Sequence, residues 1–311
     1  MVVQASAGRP MPRVSDRGAA RWIRLAWQLR VPICGALLTG VMVVAALGAP
    51  YLAPHDPLQQ EITARLRPPA WMEGGSPTHL LGTDALGRDL LSRIVYGARV
   101  SLTAGVLAVV VSGIIGVGLG LLGGYFGGRA DAVVNGAVSI MMAFPFMLLA
   151  LTAIAVAGPS FRNIVIVLGV TTWPIYTRVV RAETLVIRER EFVLAARALG
   201  GGAGRIMLRH ILPNLASTLL VLGSLEVARM IILESFLSFL GLGVPPPTPS
   251  WGGMLGEGRI HMLSKWWIAT FPGLAIFLAT LGITFVGDGL RDLLDPRLKD
   301  SLLGREAAGQ G

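Results

Sequence analysis

The chain has 311 residues, 53% of them hydrophobic and only 14% charged, with a mean hydropathy of +0.65 and a net charge of +9. Soluble domains carry about 25% charged residues, so an ordinary soluble globule is excluded and a membrane-embedded chain is expected. Cys34 is the one cysteine, which excludes an intrachain disulfide and reads as a small hydrophobe packed in an apolar helix.

The first thirty residues hold Arg9, Arg13, Arg17, Arg21, Arg24 and Arg30 against Asp16 alone. Arginine excess marks the inner side of a membrane, so residues 1–30 are expected as a basic cytoplasmic tail. The apolar run at 31–54 is too long for a secretory leader and lacks a small-x-small cleavage site. It is expected as a retained first transmembrane helix. Since roughly 20 apolar residues cross the hydrocarbon, further spans are expected at 100–128, 132–161, 163–177, about 213–240 and 266–287. The 163–177 run reaches spanning length when Val179 and Val180 continue it past Arg178. Six helices in an all-α polytopic fold return the C terminus to the cytoplasmic side. The positive charge is then shared among the tails, the 124–131 turn and the 181–212 loop, without aromatic interleaving, so nucleic acid is not an expected partner.

Between the first two spans lies a Pro-rich segment, 55–98, expected on the extracytoplasmic side. It contains His79-Leu-Leu-Gly-Thr-Asp-Ala-Leu-Gly-Arg-Asp-Leu-Leu-Ser-Arg93. Thr83 or Asp84 is expected to cap a short helix, with Gly82 and Gly87 permitting tight turns. In the second span Gly116 and Gly120 form a Gly-x-x-x-Gly pair suited to close helix approach. Pro145 and Pro174 are expected to kink the third and fourth spans.

Residues 188–212 form a basic island between two spans. Phe192, Ala195, Ala196 and Leu199 follow the i, i+3, i+4, i+7 spacing of one apolar helical face, with Glu191, Arg188, Arg190 and Arg197 around it. Gly200, Gly201 and Gly202 supply a left-handed cap and turn. A second short helix carries Arg205 and Arg209, followed by His210, and Pro213 begins the next span. Charge pattern alone fits a helix lying on anionic lipid as well as one docked on a protein.

Within the fifth span, Glu226, Arg229 and Glu234 must avoid lipid, and Glu226 and Arg229 at i, i+3 can pair. Both a structural ion pair and a group facing a polar substrate explain them. Beyond it, the proline run 245–247 ends the helix, and Trp251, Trp266 and Trp267 suit a membrane-water interface. Asp288, Arg291, Asp292 and Asp295 are expected to terminate the last helix. His55, His79, His210 and His261 lie apart without ligand spacing, and no nucleophile-base set is evident, so neither a metal site nor catalytic residues are expected. No phosphate-binding Gly-x-x-x-x-Gly-Lys loop occurs either, so any ATP hydrolysis belongs to a partner.

Leu194-Ala-Ala, then Gly200, then His210-Ile-Leu-Pro213 closely resembles the coupling loop of ATP-binding-cassette (ABC) importer permeases. Leu194 stands where that family often has glutamate. The 81–93 block with the following Tyr96-Gly-Ala-Arg99, the stretch Glu234 to Met254, and Gly287-Asp-Gly-Leu-Arg-Asp-Leu-Leu-Asp-Pro-Arg297 are all similar to the C-type permease subunit of dipeptide, oligopeptide and nickel importers. The resemblance implies a type I permease domain at 99–292, ending in a cytoplasmic tail at 293–311. It also implies a homologous second permease, a pair of ATPase subunits docked on 188–212 and supplying ATP and Mg, and an extracytoplasmic binding protein. No cofactor is implied on this chain. The implied substrate is a di- or oligopeptide, with nickel chelates or glutathione as alternatives. A passive channel or an intramembrane enzyme is the expectation from other classes.

Overall fold

A computed structural model describes residues 14–294, and every regular element among them is helical. The leading arginines before residue 14, and Asp295, Arg297, Lys299 and Arg305, lie outside the described residues. The first helix, α1 (Val14–Leu47), is followed by a short turn of helix, α2 (Ala49–Leu52), and then by an irregular segment that leads to α3 (Leu90–Phe126). Next come α4 (Gly128–Ala143), α5 (Phe146–Ala157) and α6 (Phe161–Ile187). A pair of short helices, α7 (Glu191–Ala198) and α8 (Ala203–Ile206), precedes α9 (Ala216–Phe239), α10 (Trp251–Gly258) and α11 (Trp267–Leu294).

Five helical runs are long and apolar enough to cross a membrane: Arg30–Leu47, Leu90–Phe126, Phe161–Ile187, Ala203–Phe239 and Trp267–Leu294. The expected 132–161 run corresponds to a bent pair, α4 and α5 meeting at 85°, which makes a sixth crossing where the pair counts as one span. Proline explains the break, because its ring disfavours helical backbone at the preceding residue. Phe144 before Pro145 is accordingly extended, at φ −92° and ψ 135°. In α6 the helix runs unbroken through Pro174 and past Arg178 to Ile187, so the short fourth run does reach spanning length.

The centre of the bundle is α3, which packs on α1, α6 and α9. Its closest partner is α6, and the reason is a glycine stripe. A Cβ on Gly116, Gly120 or Gly124 would lie 2.5, 2.7 or 2.6 Å from the Cβ of Tyr176, Val180 or Thr184. Only hydrogen fits in that seam, as the Gly-x-x-x-Gly spacing predicts. Thr177 Oγ1 crosses it to donate to the Gly116 carbonyl at 3.1 Å. A second layer of Ala108, Ala150, Ile154, Ile164, Leu168, Met230 and Leu237 joins α3, α5, α6 and α9. Much apolar surface stays outside: Ile33, Leu37, Val44, Ile114, Ile140 and Val156 are all exposed, as suits contact with lipid or another membrane subunit.

Trp251 departs from the interfacial expectation. Its ring is fully buried against α3 and α11 residues, and its Nε1 donates to the Ile94 carbonyl at 2.9 Å. Trp267 is also buried, whereas Trp266 is exposed. An indole whose N–H finds a partner, as that of Trp251 does, packs as well inside as at an interface.

Candidate functional site

At one end of the bundle α7, α8 and the turns after them fold into a knob. A wide π-helical turn, Met207–Ile211, and a 3-10 turn, Leu212–Leu215, join α8 to α9. Arg205 is therefore on α8 and Arg209 on the wide turn, while Pro213 sits in the link just before α9. Val193, Ile206, Ile211 and Leu215 are buried together with Leu121 of α3 and Val180 of α6, and Ala196 packs against them. Phe192 and Leu199 point outward, at 44% and 89% exposure, and Ala195 is exposed beside them. The expected apolar face thus divides. Residues 192 to 196 are apolar throughout, so spacing alone does not show that Val193 is the anchor.

The turn after α7 is closed as expected. Gly200 adopts φ +79°, Gly201 N–H donates to the Ala196 carbonyl at 3.0 Å, and Gly200 N–H donates to the Arg197 carbonyl at 3.0 Å. This pairing is a Schellman cap, which needs a left-handed residue and so favours glycine. Arg188 latches the knob to the end of α3, its Nη1 donating to the Gly124 carbonyl at 2.8 Å, and Arg197 lies 5.4 Å from the Tyr125 ring centroid. Asp131 of α4 grips Arg181 of α6 through two hydrogen bonds, the Nη2 to Oδ2 distance being 2.6 Å. Glu191, Arg205 and Arg209 are exposed, while His210 is half-buried and its carbonyl accepts from Asn214 Nδ2 at 2.6 Å.

The three charges of α9 separate into two groups. Arg229 Nη1 meets Glu226 Oε2 at 3.3 Å, with Glu226 nearly buried and the Arg229 side chain 43% exposed. Glu234, two turns on, is fully buried and accepts from Ser238 Oγ at 2.7 Å. Ser235 on α9 and Ser101 on α3 also interact with its carboxylate, so Glu234 sits in the α3–α9 contact, apart from the Glu226–Arg229 pair.

The opposite end holds a denser polar network. Asp84 is not a helix cap. Its Oδ1 accepts from the Leu86 and Arg88 backbones at 2.8 and 3.0 Å, and its Oδ2 holds Arg88 Nε at 2.6 Å and Arg93 Nη1. Glu257 of α10 completes the clamp, at 2.8 Å from Arg88 and 2.7 Å from Arg93. The cap of α3 is Asp89, whose Oδ2 accepts from Ser92 N–H at 2.8 Å. Gly82 and Gly87 take φ +83° and +76° in the expected tight turns. Two of the four scattered histidines also meet here: His79 Nδ1 lies 3.0 Å from Asp89 Oδ1, and the His55 and His79 ring centroids are 4.9 Å apart.

The described residues thus form a bundle of helices long and apolar enough to cross a membrane, with a small knob at one end and a braced loop at the other. Residues 116–300 match the family model described as binding-protein-dependent transport system inner membrane component. The chain belongs to that family, the permeases of ABC importers. It is 48% identical over 267 residues to the dipeptide transport system permease protein DppC of Escherichia coli K12, covering 86% of this chain and 89% of that one. Identity to the Di/tripeptide transport system permease protein DppC of Pseudomonas aeruginosa is 45%, covering 86% and 88%. The glutathione transport system permease protein GsiD of Pectobacterium atrosepticum is 40% identical, covering 93% and 96%. Among solved structures, the inward-facing MetNI methionine ABC transporter aligns with a TM-score of 0.54 at 17% identity, covering 66% of this chain and 98% of that one. That likeness shows a shared type I permease fold.

Proposed function

We propose that the chain pairs with a second, homologous permease to form the pathway of a di- or oligopeptide importer, and that the 188–212 knob docks the ATPase subunits. The observation that carries this reading is the exposure of Phe192, Ala195 and Leu199 on a knob whose base is fully packed. An apolar tip on a rigid stem is suited to a protein groove, and the high identity to peptide permeases supplies the substrate class. The knob end is cytoplasmic and the 53–89 end extracytoplasmic, where a binding protein delivers substrate. ATP and Mg are held by the partner ATPases, and this chain carries no catalytic role.

On this reading Arg229 is the group on α9 that meets a substrate carboxylate, with a purely structural pair to Glu226 as the alternative. Its guanidinium is part-exposed, and a peptide's C terminus can compete for it with Glu226. Glutathione carries the same carboxylate chemistry, and the 40% identity to a glutathione permease keeps it as a second substrate reading. The test is reconstitution of the importer with its ATPases and binding protein. Leu199→Asp is expected to abolish ATPase co-purification and ATP-driven dipeptide uptake without changing the permease's melting midpoint. Retention of both ATPases and uptake by that variant would exclude docking through the knob. Competition of labelled dipeptide uptake by unlabelled glutathione decides between the two substrates.

A further inference from the structure

We propose that His55, His79 and Asp89 bind one divalent transition metal of the zinc class, pinning the 53–89 segment to the start of α3. Three donors of two kinds, two imidazole nitrogens and a carboxylate oxygen, lie within 4.8 Å of one another. They come from three separate places: the turn after α2, the loop before Gly82, and the N-cap of α3. His79 Nδ1 is 3.0 Å from Asp89 Oδ1, and His55 Nδ1 is 3.8 Å from Asp89 Oδ2. Tetrahedral zinc with bonds of about 2.1 Å needs donors about 3.4 Å apart. The two distances to Asp89 bracket that spacing but reach different oxygens, and all three donors lie within 4.8 Å, so rotation of the rings or the carboxylate has to draw them onto one ion.

Two features argue that more than a hydrogen bond is housed here. His55 Nδ1 is buried and has no hydrogen-bond partner, an arrangement that costs free energy unless something else satisfies the lone pair. The donors are also held from behind. Ser92 Oγ donates to Asp89 Oδ2 at 2.7 Å and accepts the His55 backbone N–H at 3.0 Å, so one serine orients two of the three ligands. Glu61 Oε2 lies 3.8 Å from His79 Nε2. When the metal takes Nδ1, the neutral ring carries its proton on Nε2, facing that carboxylate, as metal-bound histidines commonly do. Nitrogen donors select zinc-class ions over calcium or magnesium. His55 lines an open cleft with Pro54, Tyr96 and Pro249, the side from which an ion would approach its ring.

The experiment uses the full transporter, washed with EDTA and titrated with zinc chloride against a chromophoric chelator. His55→Ala and His261→Ala variants are measured beside it, so that sites on other subunits cancel. The His55 ring makes no hydrogen bond through Nδ1, and an unchanged melting midpoint without zinc confirms that His55→Ala is folded. Wild type and His261→Ala are expected to bind one more zinc per permease than His55→Ala, or to bind it at least about tenfold more tightly. Zinc is expected to raise the melting midpoint of wild type alone or with His261→Ala, and X-ray absorption to show two imidazoles in a nitrogen and oxygen shell. Equal uptake by wild type and His55→Ala, or none by either, overturns the proposal.

Discussion

Asp84 holds two buried arginines at once, and its loss would leave Arg88 and Arg93 sharing Glu257 alone. Breaking a buried pair by removing one partner costs about 3–5 kcal/mol, because the remaining charge is stranded. Asp84→Asn is therefore expected to lower the melting midpoint of the purified permease sharply, whereas Glu73→Gln, at an exposed position, should leave it unchanged. The Glu226–Arg229 pair poses a different question, since one partner is part-exposed. Exchanging the two residues preserves a structural pair but reverses the charge shown to substrate. Assembly is expected to survive the exchange and dipeptide uptake to fall; retained uptake would make the pair purely structural. The acidic and basic residues of both groups are visible in the sequence. Glu257 is not readable as the partner of Arg88, because the two stand 169 positions apart and no local spacing links them. The same holds for His55 and His79, which meet only because Asp89 draws a loop onto the head of α3.

At the scale of the element, the seam between α3 and α6 and the knob were open to sequence reasoning to different degrees. Glycine at every fourth position has one physical use inside a helix, and the seam between Gly116, Gly120 and Gly124 and the Cβ atoms of α6 follows from it. Gly120→Val would place a branched side chain where only 2.7 Å is open to the Val180 Cβ. Overpacking typically costs about 1–3 kcal/mol, and a seam of backbone cannot yield by rotating a side chain. Loss of the folded, monodisperse form in detergent is expected, with Gly118→Ala, which meets nothing, as the tolerated control. The caps of the knob are equally legible, for Gly200 is named by its left-handed turn. Its orientation is not. A helix only two turns long with five consecutive apolar residues has no unique apolar stripe, so Val193 and not Phe192 becomes the anchor. Similarly, Pro145 signals a kink, but an 85° elbow depends on Ala150 and Ile154 being held in the core shared with α6 and α9.

For the molecule as a whole, hydropathy locates five crossings and a bent pair that can make a sixth, and the arginine distribution sets the direction expected of them. That assignment has a direct check. After Cys34→Ser, a cysteine at exposed Leu58 should react with a membrane-impermeant maleimide in intact spheroplasts. One at exposed Leu199 should react only after permeabilisation. The reverse pattern would invert the topology and place the knob away from ATP. With 37 residues, α3 extends for about 55 Å, well beyond a hydrocarbon core of about 30 Å. Its two ends therefore carry the braced loop and the knob clear of the lipid, on a single unbroken rod.

The latch between Arg188 and the last carbonyls of that rod has a mechanical meaning. A knob hung from α6 alone would flex at the 187–190 turn and dissipate any displacement of its tip. Tied to α3 as well, through Arg188 and the stacking of Arg197 on Tyr125, it has two supports that the glycine seam keeps from sliding past each other. The pair, closed along that seam, therefore reaches from the knob beneath Leu199 to the Arg93–Glu257 clamp at the other end of α3 as one packed unit.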